Sequence, residues 1–105
     1  MIKEEFAKIV AVLEETDMNN YAVIEPLWEN EIALFTRDIK ETIDFVKNDC
    51  TASQFSWMSE VWDEIAEKTK SKEFINCIKE TAKKFPEECA KFNIAGSIES
   101  AEGYL

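Results

Sequence analysis

Apolar residues recur at helical spacing throughout residues 25–70, and this periodicity constrains the fold more than any other feature of the chain. At ~100° per residue, residues 26–48 form one apolar stripe and a second apolar edge on the same helix. The stripe comprises Trp28, Ile32, Phe35, Ile39, Ile43 and Val46, and the edge comprises Leu27, Leu34 and Phe45. We therefore predict one helix over residues 26–48, beginning at Pro26, with almost half of its circumference in the core.

A second central helix is predicted to begin near Ala52, after a hinge at residues 48–50. Thr51 and Gln54 have the spacing of a capping box, in which each side chain satisfies a backbone N–H of the other residue. The core stripe of this helix comprises Phe55, Met58, Trp62, Ile65 and Ala66. Trp57 projects away from that stripe, toward a face rich in carboxylates.

The rest of the chain also favours helices, because only two glycines and two prolines interrupt its 105 residues. An amphipathic first helix is expected to end near Glu15 and to be followed by a turn at residues 16–20. Further start and stop signals are Ser71, Pro86, the left-handed terminator Asn93 and Ser97 as the cap of a last turn. We predict an all-α fold, a compact array of about five helices in a single domain over residues 1–105.

The net charge of −10, from 22 acidic and 12 basic residues, narrows the choice of partners. Most of the acidic excess lies in residues 1–70. Such a field repels phosphate backbones and attracts basic protein surfaces, so we expect a basic protein partner and no direct binding of nucleic acid. The alternative is that the charge only keeps a small domain soluble.

The sequence lacks the residues of most catalytic and metal sites. It contains no histidine, which excludes histidine-dependent nucleophiles and helical Glu-x-x-His metal ligands. Cys50, Cys77 and Cys89 have no metal or redox spacing and are expected to be reduced thiols. We therefore predict no enzymatic activity, no catalytic residue, no metal and no cofactor.

The N-terminal sequence and the hydropathy pattern favour a cytoplasmic protein. MIKEEFAKIV places acidic residues where a signal peptide has an uninterrupted apolar run. No stretch approaches 18 consecutive apolar residues, so a membrane span is not expected.

Glu31 and Asp38 lie between the two apolar surfaces of the predicted helix 26–48. Three interpretations are open for them. They are a general acid and base in an apolar groove, or they pair with Arg37 or a lysine at the edge of the core, or they bind an arginine or lysine of a partner. We include both carboxylates among the candidate partner-binding residues.

Trp57 also has two interpretations, since a neighbouring helix either covers it or leaves it exposed as an aromatic anchor for a partner. Its acidic surroundings favour the second, because an indole face attracts Arg and Lys. The remaining candidate partner-binding residues on this surface are Glu60, Asp63, Glu64 and Glu67.

Three segments of the chain resemble small bacterial immunity proteins, which protect cells from polymorphic toxins, including those of contact-dependent growth inhibition. They are YAVIEPLWENEIALFTRDIKETIDFV, NDCTASQFSWMSEVWDEIAEKT and the tail SIESAEGYL. The resemblance implies a cytoplasmic, non-enzymatic inhibitor that binds the C-terminal domain of one cognate toxin and covers its basic active-site or substrate-binding surface. It also favours a nuclease, in particular a ribonuclease, as that toxin. A second hypothesis is an acidic helical adaptor or regulatory subunit that docks a basic protein partner.

Overall fold

The computed structural model describes residues 2–105, of which 83% are helical and none lies in a strand. The predicted all-α class is therefore confirmed. The helices are α1 (Ile2–Glu15), α2 (Tyr21–Arg37), α3 (Ile39–Asn48), α4 (Ala52–Met58), α5 (Trp62–Thr69), α6 (Lys72–Ala82), α7 (Pro86–Phe92) and α8 (Ile94–Glu102). A 3-10 turn, Ser59–Val61, joins α4 to α5 into one helical run, so residues 2–105 contain seven helical segments instead of about five.

The predicted single helix over residues 26–48 is wrong at both its start and its middle. The helix begins at Tyr21 and places Pro26 in its interior, because Ile24 in the added first turn is fully buried in the core. At Asp38 the backbone becomes extended, with φ −148° and ψ 99°, and this residue separates α2 from α3. The Asp38 carboxylate accepts hydrogen bonds from the backbone N–H groups of Lys40 and Glu41, at 3.1 and 3.4 Å. A side chain that caps a new helix competes with continuation of the old one.

Both apolar surfaces predicted for this region nevertheless face the interior, because the bend at Asp38 turns α3 back onto the same core. Thr42 stabilises the bend by donating its hydroxyl to the carbonyl of Phe35, at 2.8 Å, across the junction. The aromatic rings of Phe6, Phe35 and Phe45 bring α1, α2 and α3 together, with centroids 4.9 to 6.4 Å apart.

The helix predicted from Ala52 starts as expected, and both hydrogen bonds of the Thr51–Gln54 capping box are present. Ser71 caps α6, Pro86 occupies the first turn of α7 and Asn93 ends α7 with φ 52°, as the sequence predicts. The predicted cap at Ser97 is wrong, because α8 begins at Ile94 immediately after the left-handed Asn93. The residues predicted for the core stripe of α4 and α5 are all buried.

The second half of the chain packs around Trp62, which is fully buried. The centroids of the Trp62 and Phe55 rings are 4.9 Å apart. On this side α5 lies against α8, and α3 lies against α6. Within residues 2–105, no helix is long and apolar enough to cross a membrane. The irregular turn between α4 and α5 remains at the surface, and it forms the centre of the site described next.

Candidate functional site

Glu60 lies in the 3-10 turn and borders two surface grooves, which we name the Trp28 groove and the Trp57 groove. The Trp28 groove has a volume of about 250 Å³ and runs between α2 and the start of α5. It is lined by Glu25, Trp28, Glu29, Ile32, Glu60, Val61 and Glu64. Four of its seven lining residues are therefore carboxylates, and the groove concentrates the negative charge that the sequence predicts for this part of the chain.

A hydrogen bond joins the two walls of the Trp28 groove, because the indole Nε1 of Trp28 donates to Oε2 of Glu60 at 2.7 Å. Burial raises the pKa of Glu60 above its usual range, while the hydrogen bond from Trp28 acts in the opposite direction. The half-buried indole also packs against the core. This bond fixes Glu60 relative to α2 although the two residues are 32 positions apart.

Glu31 is fully buried beside this hydrogen bond, one helical turn after Trp28 on α2. Neither of its carboxylate oxygens has a hydrogen-bond partner among the described residues. Burial, and secondarily the negative charge of Glu60, raises the pKa of Glu31 from 4.5 to about 8. At neutral pH its side chain is therefore mostly a neutral carboxylic acid.

No lysine or arginine within residues 2–105 forms an ion pair with a glutamate of the Trp28 groove. The ion pairs are elsewhere, and they join Arg37 to Glu5 and Glu41, Lys79 to Glu102, and Lys83 to Glu80. None of these pairs includes Glu31 or Asp38, so the interpretation that Arg37 or a lysine pairs with them at the edge of the core is wrong for the described part of the chain. The carboxylates of the Trp28 groove can therefore interact with solvent or with a partner.

The Trp57 groove is larger, at about 570 Å³, and has a different chemistry. Its apolar lining is supplied by Trp57, Met18 and Phe92, and serines 53, 56, 59 and 97 surround them. Met18 and Phe92 are 46% and 50% exposed, although large apolar side chains are normally covered. Trp57 is half-buried, with one part packed on the core and another part on the groove.

The charges of the Trp57 groove are unevenly placed. Glu60 lies on the side shared with the Trp28 groove, and Glu88 and Lys91 come from α7. The ammonium of Lys91 is 5.2 Å from the centroid of the Phe92 ring, a cation–π distance. The α7 side of this groove therefore carries one carboxylate and one ammonium group.

The structure separates the other predicted partner-binding residues. Asp38 is exposed, and its carboxylate caps α3. Neither Asp38 nor Glu31 lines the Trp28 groove or the Trp57 groove, and the two do not form an acid–base pair. Asp63 is half-buried and accepts a hydrogen bond from Ser100 of α8 at 3.0 Å. Glu67 is exposed near the end of α5 and lines neither groove. Glu60 and Glu64 lie together in the Trp28 groove, whereas the Trp57 groove includes Glu60 but not Glu64.

Sequence reasoning missed the contribution of α2 to the site. Trp28 was assigned entirely to the core stripe, and Glu25 and Glu29 were given no binding role. The unusual density of carboxylates around this tryptophan was the available signal, since Glu25, Glu29 and Glu31 all lie within one turn of Trp28. Pairing of Trp28 with Glu60 depends on tertiary packing and has no signal in the sequence.

The described residues give no indication of a metal site or of a reactive thiol, and no cysteine lines either groove. Within residues 2–105, no group of three or more His, Cys, Asp or Glu side chains is arranged to hold a metal ion. The three cysteines are free and half-buried. Burial raises the pKa of Cys50 to about 12 and also raises the pKa values of Cys77 and Cys89, which disfavours the reactive thiolate.

Comparisons with protein families, curated proteins and solved structures find no match to this chain. What the chain binds is therefore inferred from its two grooves and from its charge.

Proposed function

We propose that this protein is a bacterial immunity protein that binds the C-terminal domain of one cognate toxin and neutralises it. The observation that carries the proposal is the Trp28 groove, where Glu25, Glu29, Glu60 and Glu64 stand together without an internal cation in residues 2–105. Like charges brought together in the folded state repel one another, so they lower the stability of the fold unless a positively charged partner binds them. A basic protein surface supplies the missing charge.

The toxin that fits this chemistry is a nuclease, because a nuclease binds phosphate backbones with basic residues. An acidic inhibitor competes for those residues and covers the substrate-binding or active-site surface. The resemblance of the chain to immunity proteins favours a ribonuclease within this class. On this proposal the protein acts in the cytoplasm, where it meets the toxin before nucleic acid is cleaved.

The proposal describes a binding protein and not an enzyme. The sequence contains no histidine, and burial disfavours ionisation of its thiols. Glu31, the carboxyl group with the largest increase in pKa, is fully buried and has no access to a substrate. Both grooves instead place an aromatic ring beside polar or charged groups, which resembles the aromatic core and polar rim of protein–protein interfaces.

Co-expression with the toxin domain encoded in the neighbouring reading frame tests the function. We expect growth to be restored for that toxin and not for unrelated toxins, through a stoichiometric complex that can be purified. Association should slow as salt concentration rises, because charge steers the encounter. Protection without a physical complex would refute direct inhibition, and a tight complex with a basic protein that is not toxic would favour an adaptor role.

A further inference from the structure

The two grooves share Glu60, so a ligand that contacts this residue is at the edge of both. Their chemistries are complementary, since one groove is acidic and the other is lined by Trp57, Met18 and Phe92. A partner that uses only one of the grooves leaves either unpaired carboxylates or exposed apolar surface beside its contact.

The Trp28 groove suits one cationic side chain. Its volume of about 250 Å³ is below the ~300–1,000 Å³ of ordinary small-molecule pockets and is sufficient for one side chain. An indole next to several carboxylates favours arginine over lysine, because a guanidinium stacks on aromatic rings and donates in a fork to carboxylates.

Glu31 is buried next to Glu60 and does not itself line the Trp28 groove. It is fully buried and unpartnered within residues 2–105, and it lies close enough to Glu60 for the two carboxyl groups to interact. A buried carboxyl group without a partner is costly to maintain. A guanidinium bound at Glu60 would offset the negative charge that acts on Glu31, and the ionised form of Glu31 would then cost less.

The Trp57 groove suits an apolar side chain, and its charges fix the direction of the ligand. On the α7 side the opposite charges of Glu88 and Lys91 offset each other, whereas Glu60 and the other glutamates of the Trp28 groove form no ion pair within residues 2–105. The basic side chain of a ligand is therefore directed to the Glu60 side, and the apolar side chain to the surface formed by Trp57, Met18 and Phe92.

From this arrangement, and resting on the proposed function, we infer that the two grooves form one bipartite docking site for a toxin segment that carries an arginine close to a large apolar side chain. The arginine enters the Trp28 groove, the apolar side chain enters the Trp57 groove, and Glu60 contacts the segment where the grooves meet.

The indole N–H signals of the three tryptophans allow a direct test by ¹⁵N nuclear magnetic resonance, without any toxin. The probes are acetyl-arginine amide, acetyl-leucine amide and the linked peptides acetyl-Leu-Arg amide and acetyl-Leu-Gly-Arg amide. We expect the arginine probe to shift the Trp28 signal, the leucine probe to shift the Trp57 signal, and at least one linked peptide to shift both. The linked peptide should bind at least about tenfold more tightly than either single probe, because its second contact is intramolecular.

One altered peptide and three protein variants define the chemistry. Replacing arginine by citrulline removes the charge and keeps the shape, so it should abolish the Trp28 response. Glu60→Gln should weaken the linked peptide by about tenfold or more, as loss of a charge-assisted contact does. Glu64→Gln should weaken the arginine probe, whereas Glu99→Gln, an exposed position that lines neither groove, should change nothing. Thermal melts identify any variant that has lost its fold.

The bipartite site is overturned if no linked peptide binds more tightly than a single probe, or if only one groove responds. Protection in co-expression together with such a negative result would leave the immunity function intact and reject only this docking mode. Bipartite peptide binding by a chain that protects against no toxin would instead support the docking site and contradict the immunity function.

Discussion

Glu31 places an ionisable group in the core without a hydrogen-bond partner among residues 2–105. Its pKa of about 8 means that the folded protein holds a proton which the unfolded chain releases near pH 4.5. Because the folded state binds more protons between these two values, the free energy of unfolding decreases as pH rises through this window and levels off above it.

Glu31→Gln removes the titrating group, so the stability of this variant relative to the natural protein should increase as the pH rises from about 4.5 to about 8. The difference reaches at most about 5 kcal/mol, since the pKa rises from 4.5 to about 8 and each pH unit is worth about 1.4 kcal/mol. Urea unfolding of both proteins across this range measures it. A difference that stays constant with pH would mean that Glu31 is ionised in the folded protein at neutral pH.

Trp57 and Trp62 form a matched pair on one helical run, since Trp57 is half-buried in a groove wall and Trp62 is fully buried. Trp57→Ala should weaken binding of the toxin domain by about 2 kcal/mol or more, as loss of an aromatic anchor does. Trp62→Ala should act mainly on folding, with a loss of about 3–5 kcal/mol. Thermal melts and binding kinetics on both variants separate the effects. If Trp57→Ala lowers the melting temperature as Trp62→Ala does while the folded fraction binds normally, Trp57 is only a packing residue.

At the scale of the elements, most helix ends could be predicted and helix continuity could not. The capping box at Thr51, the cap at Ser71, Pro86 in the first turn of α7 and the terminator at Asn93 depend on local chemistry, which the sequence displays directly. The break at Asp38 does not, because an aspartate there is compatible with an exposed helical position as well as with a cap. Packing of α1 and α3 on α2 decides between the two.

Substitutions at Asp38 separate its role as a cap from the partner-binding role predicted for it. Asp38→Ala should lower the free energy of unfolding by about 1 kcal/mol, whereas Asp38→Asn should stay close to the natural protein, because asparagine caps as well as aspartate does. Denaturant unfolding measures both. If Asp38→Asn folds normally but loses affinity for the toxin domain, the charge of Asp38 acts in binding; if Asp38→Ala is as stable as the natural protein, the cap does not hold the junction.

At the scale of the whole molecule, the sequence predicts the sign of the charge on the candidate binding surface better than the location of that surface. The excess of carboxylates is visible in the composition, and helical spacing places Trp57 on a face rich in carboxylates. The assembly of the Trp28 groove is not, because α2 and the 3-10 turn meet only after the chain has folded back through α3 and α4. Fold-dependent proximity also explains why Glu64, predicted near Trp57, lines only the Trp28 groove, whereas Glu60 lines both grooves.

A comparison at constant net charge decides whether the groove or the total charge controls association. The double variant Glu60→Lys with Glu64→Lys and the control Glu14→Lys with Glu99→Lys change the charge of the chain equally. The control positions are exposed, form no ion pair within residues 2–105 and line neither groove. We expect the groove variant to associate with the toxin domain at least about tenfold more slowly than the control at low salt, because local charge complementarity orients the encounter.

Raising the salt concentration should narrow that difference, since ions screen exposed charges over about 8–10 Å at physiological strength. Dissociation should also be faster for the groove variant, because Glu60 lies within the contact and not only at its rim. Stopped-flow association and dissociation rates across a salt series measure both effects. Equal slowing of the two double variants would show that the total charge of −10, and not the Trp28 groove, steers the partner to this surface.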